Sequence, residues 1–132
     1  MKTTIAYVAT LIAFLALDAV WLGLVARTFY RDQLGELMLP SPNLAVAALF
    51  YVFFAAAIVF LAVLPGLAAG SLTTVIVNAV ILGLAAYGTY DITNLATLKN
   101  WPIMVTVVDM AWGAFLTAFA ASCGFLATRV IG

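Results

Sequence analysis

Four long apolar runs alternate along the chain with short stretches that contain most of the charged residues and the prolines. The runs cover about residues 4–26, 44–64, 72–91 and 103–127. A helix of about 20 residues crosses the hydrocarbon layer of a membrane, so each run has the length of one span. We predict an all-α, polytopic membrane protein in which residues 1–132 form a single transmembrane domain, a four-helix bundle with up-down topology.

The connections between the runs contain residues that begin or break helices. Ser41 is placed as an N-cap and Pro42 as the first helical residue of the second span. Pro65 and Gly66 predict a tight turn between the second and third spans. Pro102 is suited to begin the fourth helix, because the first turn needs no donor at that position.

Residues 28–39 have an amphipathic pattern at helical spacing. Apolar residues fall on one face and charged residues on the other, namely Tyr30, Leu34, Leu37 and Met38 against Arg31, Asp32 and Glu36. This segment is either a short helix on the membrane surface or an ordinary polar connection. We take the second, simpler interpretation as our prediction.

The composition agrees with a membrane protein and excludes several other classes. Hydrophobic residues make up 67% of the chain and charged residues 8%, whereas soluble domains carry roughly 25% charged residues. Five basic and five acidic residues leave no net charge to hold a nucleic acid. The chain has no histidine and one cysteine, Cys123, so it lacks the usual ligands of zinc, haem and iron–sulfur clusters. We expect no cofactor.

Three aspartates interrupt the apolar runs near one end of the predicted bundle. Asp18 lies near the end of the first span, Asp91 at the end of the third, and Asp109 within the first two turns of the fourth. Alternating helix directions bring these positions to the same side. A charge near a helix centre costs about 3 kcal/mol to insert, and such residues usually face the bundle interior or a water-filled cavity. The three aspartates are therefore the candidate catalytic residues.

A tryptophan follows two of these aspartates after one helical turn, which places both side chains on one helix face. The two pairs are Asp18 with Trp21 and Asp109 with Trp112. In one interpretation the tryptophans anchor the helices at the headgroup level. In the other they wall a pocket around an amphiphilic ligand.

The aspartates also have two alternative interpretations. They are structural if they pair with the basic residues of the connections, Arg27, Arg31 and Lys99. Together with Asn94 they supply the oxygen ligands that magnesium or calcium prefers. We nevertheless predict no metal site.

Basic residues give little information on orientation. Lys2 and Arg129 lie on one side of the predicted bundle, and Arg27, Arg31 and Lys99 on the other. The positive-inside rule therefore favours the second side as cytoplasmic by a single charge.

Three blocks of sequence resemble a known family. They are residues 17–23, 90–102 and 108–113, and the second reads Tyr-Asp-x-Thr-Asn-x-Ala-Thr-x-Lys-x-Trp-Pro. Over nearly its whole length the chain is similar to small bacterial proteins described only as a domain of unknown function, "predicted membrane protein". The resemblance implies a four-helix, multi-pass protein of the bacterial inner (plasma) membrane. It marks the positions Asp18, Trp21, Tyr90, Asp91, Thr93, Asn94, Thr97, Lys99, Trp101, Pro102, Asp109 and Trp112.

We predict a polar, tryptophan-walled carboxylate site at one end of the bundle. Its ligand-binding residues are Asp18, Trp21, Tyr90, Asp91, Asn94, Thr97, Lys99, Trp101, Asp109 and Trp112. The expected partners are the lipid bilayer and an amphiphilic, lipid-like or isoprenoid molecule on which the protein acts or which it binds.

Two other functions remain open. One is a small proton-coupled transporter working as a homo-oligomer. The other is an accessory or structural subunit that binds a second membrane protein through a small-residue stripe on the fourth helix, Gly113, Thr117 and Ala121.

Overall fold

The computed structural model describes residues 1–132 and contains helices but no strands. The elements in chain order are α1 (Lys2–Leu24), α2 (Ala26–Leu34), a 3-10 turn (Gly35–Leu37), α3 (Leu44–Ile58), a π-helical segment (Val59–Val63), α4 (Leu64–Ala69), α5 (Leu72–Thr97) and α6 (Ile103–Ile131). Four helices are long and apolar enough to cross a membrane, namely α1, the continuous helix Leu44–Ala69, α5 and α6. The predicted all-α chain with four membrane helices is confirmed.

The third span is longer than its apolar run. We expected it to end near Asp91, but α5 continues to Thr97. Helical backbone does not require apolar side chains, and residues 92–97 contain neither glycine nor proline. The connection to α6 contains Asn100 in the left-handed region (φ 61°) and then Pro102. Asp91 therefore lies inside the span rather than at its end.

The second span continues through Pro65, so the tight turn predicted there is wrong. Proline has no N–H for the carbonyl four residues earlier, which is that of Leu61. The helix accommodates this loss with the π-helical segment, and the side-chain amide of Asn78 on α5 donates to the Leu61 oxygen at 3.1 Å. The turn comes later, at Gly70, whose φ of 64° suits glycine.

The first connection is helical rather than an ordinary loop. Residues 26–34 form α2, and the 3-10 turn extends the helical backbone to Leu37. The amphipathic pattern is the physical reason, because a helix lets Tyr30 face the bundle while Arg31 and Asp32 stay exposed. The simpler interpretation of this segment was therefore wrong.

Side chains cap the second and third spans. Asn43, and not Ser41, is the N-cap of α3, because its side-chain oxygen accepts a hydrogen bond from the Val46 N–H at 3.1 Å. Helix α3 accordingly begins at Leu44, after Pro42. Ser71 caps α5 in the same way through the Thr74 N–H. Each cap satisfies a donor that the first helical turn leaves free.

Helices α5 and α6 pack through small residues. A Cβ atom added to Gly83 of α5 would lie 2.6 Å from the carbonyl oxygen of Gly113 and 3.0 Å from Oγ1 of Thr117. This spacing leaves room only for hydrogen at Gly83. Gly113, Thr117 and Ala121 are all buried in the bundle. The small-residue stripe therefore packs inside the protein and is not an exposed surface for another protein.

Helix α1 packs along α6 in the antiparallel direction. Gly124 of α6 faces Thr10 of α1, since a Cβ at Gly124 would lie 2.1 Å from the threonine oxygen. Nearer the end of α1, the side chain of Asp18 contacts Trp112. This register brings the last turns of α1 against the first half of α6, where Asp109 lies.

The interior is an apolar core formed by residues from every membrane helix, among them Phe14, Ile58, Val75 and Phe125. Large apolar side chains also cover much of the outer surface, as Phe53 and Phe60 of the second span illustrate. Water is a poor solvent for such a surface and hydrocarbon a good one. The outer surface thus suits contact with lipid.

Candidate functional site

The three aspartates lie at one depth in the bundle. Asp18 is six residues before the end of α1, Asp91 six before the end of α5, and Asp109 six after the start of α6. At about 1.5 Å per helical residue, each lies about 9 Å inside its helix end. Asp18 is 6% exposed and Asp91 is fully buried. We call these three residues the carboxylate cluster.

Two stacked tryptophans form one wall of the carboxylate cluster. The rings of Trp21 and Trp112 lie 4.2 Å apart at an angle of 9°. The indole N–H of Trp112 donates to Oδ1 of Asp18 at 3.3 Å. Each Asp-x-x-Trp unit therefore contacts the other, and the two units form one structure across α1 and α6.

Tyr30 covers the cluster from α2. Its hydroxyl donates to Oδ1 of Asp109 at 2.6 Å, and its ring meets Trp21 edge-on with 6.5 Å between centroids. Burial raises the pKa of the Tyr30 hydroxyl above its usual value, and the hydrogen bond to Asp109 raises it further. The hydroxyl is therefore a stable donor at neutral pH.

Asp91 has no hydrogen-bond partner. Both of its carboxyl oxygens are buried and unsatisfied. The carboxyl of Asp109 lies close enough to interact with it. Two neighbouring carboxyl groups repel each other when both are ionised.

Two further tyrosines complete the surroundings of the cluster. The Tyr51 hydroxyl of α3 lies near the carboxyl of Asp18. Tyr87 of α5 lies so close to Gly113 that a Cβ there would be 2.3 Å from the ring.

Our predicted site omitted Tyr30 and Tyr51. The sequence does contain a signal for each. Tyr30 lies on the apolar face of the 28–39 segment, and Tyr51 lies within the apolar run of the second span. A tyrosine hydroxyl that is buried at such a position needs a polar partner.

Two of the predicted ligand-binding residues form an aromatic contact with each other at the start of α6. Tyr90 and Trp101 meet edge-on, with 5.6 Å between centroids. The Trp101 indole N–H donates to Oγ1 of Thr106 at 3.1 Å. Trp101 therefore fixes the connection between α5 and α6, while Tyr90 stays 56% exposed.

Three other predicted residues form no hydrogen bond with the carboxylate cluster. Thr97 donates to the carbonyl of Thr93 in its own helix at 2.8 Å. Lys99 is exposed in the connection, and Asn94 is half-buried one turn after Asp91.

Neutral groups, rather than cations, contact the aspartates. The two hydrogen bonds to the cluster come from Tyr30 and Trp112. Arg27, Arg31 and Lys99 are exposed. No lysine or arginine is among the groups that influence Asp18 or Asp91 electrostatically. No contact in the structure therefore supports the alternative interpretation, in which the aspartates form salt bridges with Arg27, Arg31 or Lys99.

Metal ligands are not grouped here. No set of three or more histidine, cysteine, aspartate or glutamate residues is arranged to hold an ion. Calcium takes six to eight oxygen ligands, which this arrangement does not present.

Two open spaces lie away from the carboxylate cluster. One, of about 320 Å³, is lined by Lys2, Gly70 and Arg129 at the opposite end of the bundle. The other, of about 470 Å³, is an apolar groove between the start of α1 and the second span, beside Tyr7 and Phe60. Neither of these two spaces is lined by an aspartate.

Comparison with known proteins identifies a family. A family model described as "Predicted membrane protein (DUF2177)" matches residues 3–126. The chain belongs to this family. No curated protein and no solved structure matches the chain. As a DUF2177 member with four apolar helices, the protein is a multi-pass membrane protein in a lipid bilayer.

Proposed function

We propose that this DUF2177 protein is a bacterial inner-membrane protein that binds or acts on an amphiphilic molecule, lipid-like or isoprenoid, at the carboxylate cluster. One observation carries the proposal: Asp91 is fully buried, and neither of its carboxyl oxygens has a hydrogen-bond partner. An unsatisfied buried polar group costs about 1–3 kcal/mol, and more when it is charged. A group kept at that cost usually has a catalytic role or an additional ligand.

The depth of the cluster supports an amphiphile rather than a water-soluble molecule. The carboxyl groups lie about 9 Å inside the helix ends, near the level of lipid headgroups. Apolar side chains cover the outer surface of the helices at and below this level. A bound molecule would therefore place a polar head among the carboxyl groups and a tail in the hydrocarbon.

Helix α2 is the element that would move to admit a ligand. It has nine residues, and its polar contact with the cluster is the hydrogen bond from Tyr30 to Asp109. Gly35, with φ 55°, ends it and provides a flexible joint. Displacement of α2 would uncover Asp109 without disturbing the packing of α5 against α6.

The test is native mass spectrometry with lipidomics on the purified protein. Wild type is compared with Asp18→Asn, Asp91→Asn and Asp109→Asn, and with the control Asp32→Asn on the exposed face of α2. We expect a specific lipid or isoprenoid on wild type and the control, and its loss from the cluster variants. Circular dichroism establishes that each variant remains helical. The same unselected lipids on all five proteins would refute the proposal.

The contact between Asp91 and Asp109 supports a second function, proton-coupled transport. Carboxyl pairs inside membranes mark proton relays in pumps and transporters. The measurement is a pH-sensitive dye inside liposomes that contain the protein, after addition of lipid-like or isoprenoid substrates. Proton movement that needs both substrate and Asp109 is expected for a transporter, and its absence from wild type would refute this function.

A further inference from the structure

We infer that the carboxylate cluster selects an amphiphile whose polar head is a primary ammonium group. This inference deepens the proposed function and rests on it. The observation behind it is that three carboxyl groups lie at one depth, the hydrogen bonds to them come from the neutral groups of Tyr30 and Trp112, and the buried Asp91 carboxyl has no partner. A ligand group that complements these carboxyl groups would carry a positive charge and hydrogen-bond donors.

The count of free acceptors matches a primary ammonium group. Asp91 offers two unpartnered oxygens, and Asp109 has a second oxygen beside the one that Tyr30 occupies. An alkylammonium head has three N–H donors and one positive charge. A hydroxyl head brings a single donor and no charge, and a carboxylate or phosphate head would be repelled by the cluster.

The aromatic residues around the cluster suit the same charge. The stacked Trp21 and Trp112 rings and the Tyr30 ring lie beside Asp18 and Asp109, which accept hydrogen bonds from Trp112 and Tyr30. The face of an aromatic ring attracts a cation, although the ring itself carries no net charge. A quaternary ammonium head would gain this attraction but would leave the Asp91 oxygens without donors, so we expect it to bind more weakly than a primary ammonium.

The basic residues of the chain do not already supply this charge. Arg27 and Arg31 of α2 and Lys99 after α5 are exposed. The remaining two, Lys2 and Arg129, line the space at the opposite end of the bundle. The cluster is therefore a local excess of acidic groups in a chain whose formal charge is zero.

The experiment compares four amphiphiles with one tail. Purified wild-type protein in a neutral maltoside detergent is titrated at pH 7 with decylamine, decyltrimethylammonium, decanol and decanoate. Tryptophan fluorescence is the signal, because Trp21 and Trp112 wall the cluster. We expect decylamine to give a saturable change at a concentration at least tenfold below that of the other three. This ranking is measured in wild type and needs no variant.

Two variants then locate the effect. We expect Asp91→Asn to weaken decylamine binding at least tenfold, and Asp32→Asn, on the exposed face of α2, to leave it unchanged. If Asp91→Asn does not fold, Asp109→Asn takes its place, with the same expected loss.

Two further probes distinguish the source of the ammonium group. Ethylamine presents the head without a tail, and vesicles of phosphatidylethanolamine or phosphatidylcholine present a lipid with and without a primary ammonium. Quenching by ethylamine at the decylamine concentration would assign the site to a free amine. A response to phosphatidylethanolamine vesicles alone would assign it to a lipid headgroup.

Failure of this inference is distinct from failure of the proposed function. If decanol binds as well as decylamine and both require Asp91, the cluster binds amphiphiles and the ammonium preference is wrong. If no amphiphile shows Asp91-dependent binding, both are wrong.

Discussion

The indole rings of Trp21 and Trp112 stack face to face, 4.2 Å apart, although α1 and α6 contribute one each. The same Trp112 donates its N–H to Asp18, the aspartate one turn before its stacking partner. The two Asp-x-x-Trp units are thus interlocked, with the indole of one bonded to the carboxyl of the other. The stack thereby couples the ends of two membrane helices at the level of the carboxylate cluster.

The interlocked units predict unequal effects of two matched substitutions. Trp21→Phe weakens the stack with Trp112 and the edge-on contact with Tyr30, and an aromatic pair is worth about 0.5–1.5 kcal/mol. Trp112→Phe also leaves the nearly buried Asp18 carboxyl without its donor, which adds about 1–3 kcal/mol. We expect Trp112→Phe to lower the thermal unfolding temperature in detergent more than Trp21→Phe does. Equal losses would contradict the assigned hydrogen bond.

The Tyr30 hydrogen bond predicts that its contribution to the stability of the folded protein decreases at alkaline pH. Because the pKa of Tyr30 is raised in the folded protein, this group stabilises the fold fully below the unfolded tyrosine pKa of about 10. That contribution is lost as the pH rises above this value. We expect the stability difference between wild type and Tyr30→Phe to be constant from pH 6 to 9 and to shrink above pH 10.

Hydrogen exchange of the α2 peptide supplies the local readout for the same variant. Tyr30→Phe should speed exchange in residues 26–34 at neutral pH. The control is Tyr7→Phe, whose hydroxyl bonds to the Val52 carbonyl away from α2. Equal exchange of α2 in wild type and Tyr30→Phe would show that this hydrogen bond does not hold the helix.

The close approach at Gly113 predicts a strong effect of a single methyl group. A Cβ there would lie 2.3 Å from the Tyr87 ring, so Gly113→Ala forces the ring or the helix to shift. Overpacking of this kind costs about 1–3 kcal/mol. At Gly23 of α1 nothing lies within 4 Å, and Gly→Ala in a helix gains about 0.5–1 kcal/mol. We expect opposite shifts in unfolding temperature, and a Gly113→Ala protein as stable as wild type would contradict the packing described.

The bond between Asn78 and the Leu61 carbonyl predicts a coupled pair of substitutions. Asn78→Leu removes the donor that replaces the missing N–H of Pro65, at a cost of about 1 kcal/mol. Pro65→Ala restores an N–H to the helix, so Asn78→Leu should cost less in that background. A double-mutant cycle on thermal or denaturant unfolding measures the difference. Additive effects would show that Asn78 does not compensate for Pro65.

The membrane helices could be predicted from local sequence, because span length and hydropathy act on each segment separately. The predicted ends of the second and third spans were wrong, because hydropathy alone does not decide where a helix ends. α5 passes Asp91 because helical hydrogen bonds tolerate the polar residues up to Thr97. The second span passes Pro65 because a residue on a different helix, Asn78, satisfies the freed carbonyl.

The 3.6-residue repeat is a property of each helix alone, so the sequence could predict that each of Asp18 and Asp109 shares a helix face with its tryptophan. Their common end of the bundle was predicted from alternating helix directions. Which groups touch depends on how the helices rotate and pack against each other. Tertiary packing makes Tyr30 and Trp112 the donors to the carboxylate cluster and leaves Asp91 without a hydrogen-bond partner. It also directs the indole N–H of Trp101 to Thr106 instead of to an aspartate. Those contacts join residues up to 94 positions apart, so only the folded chain could decide them.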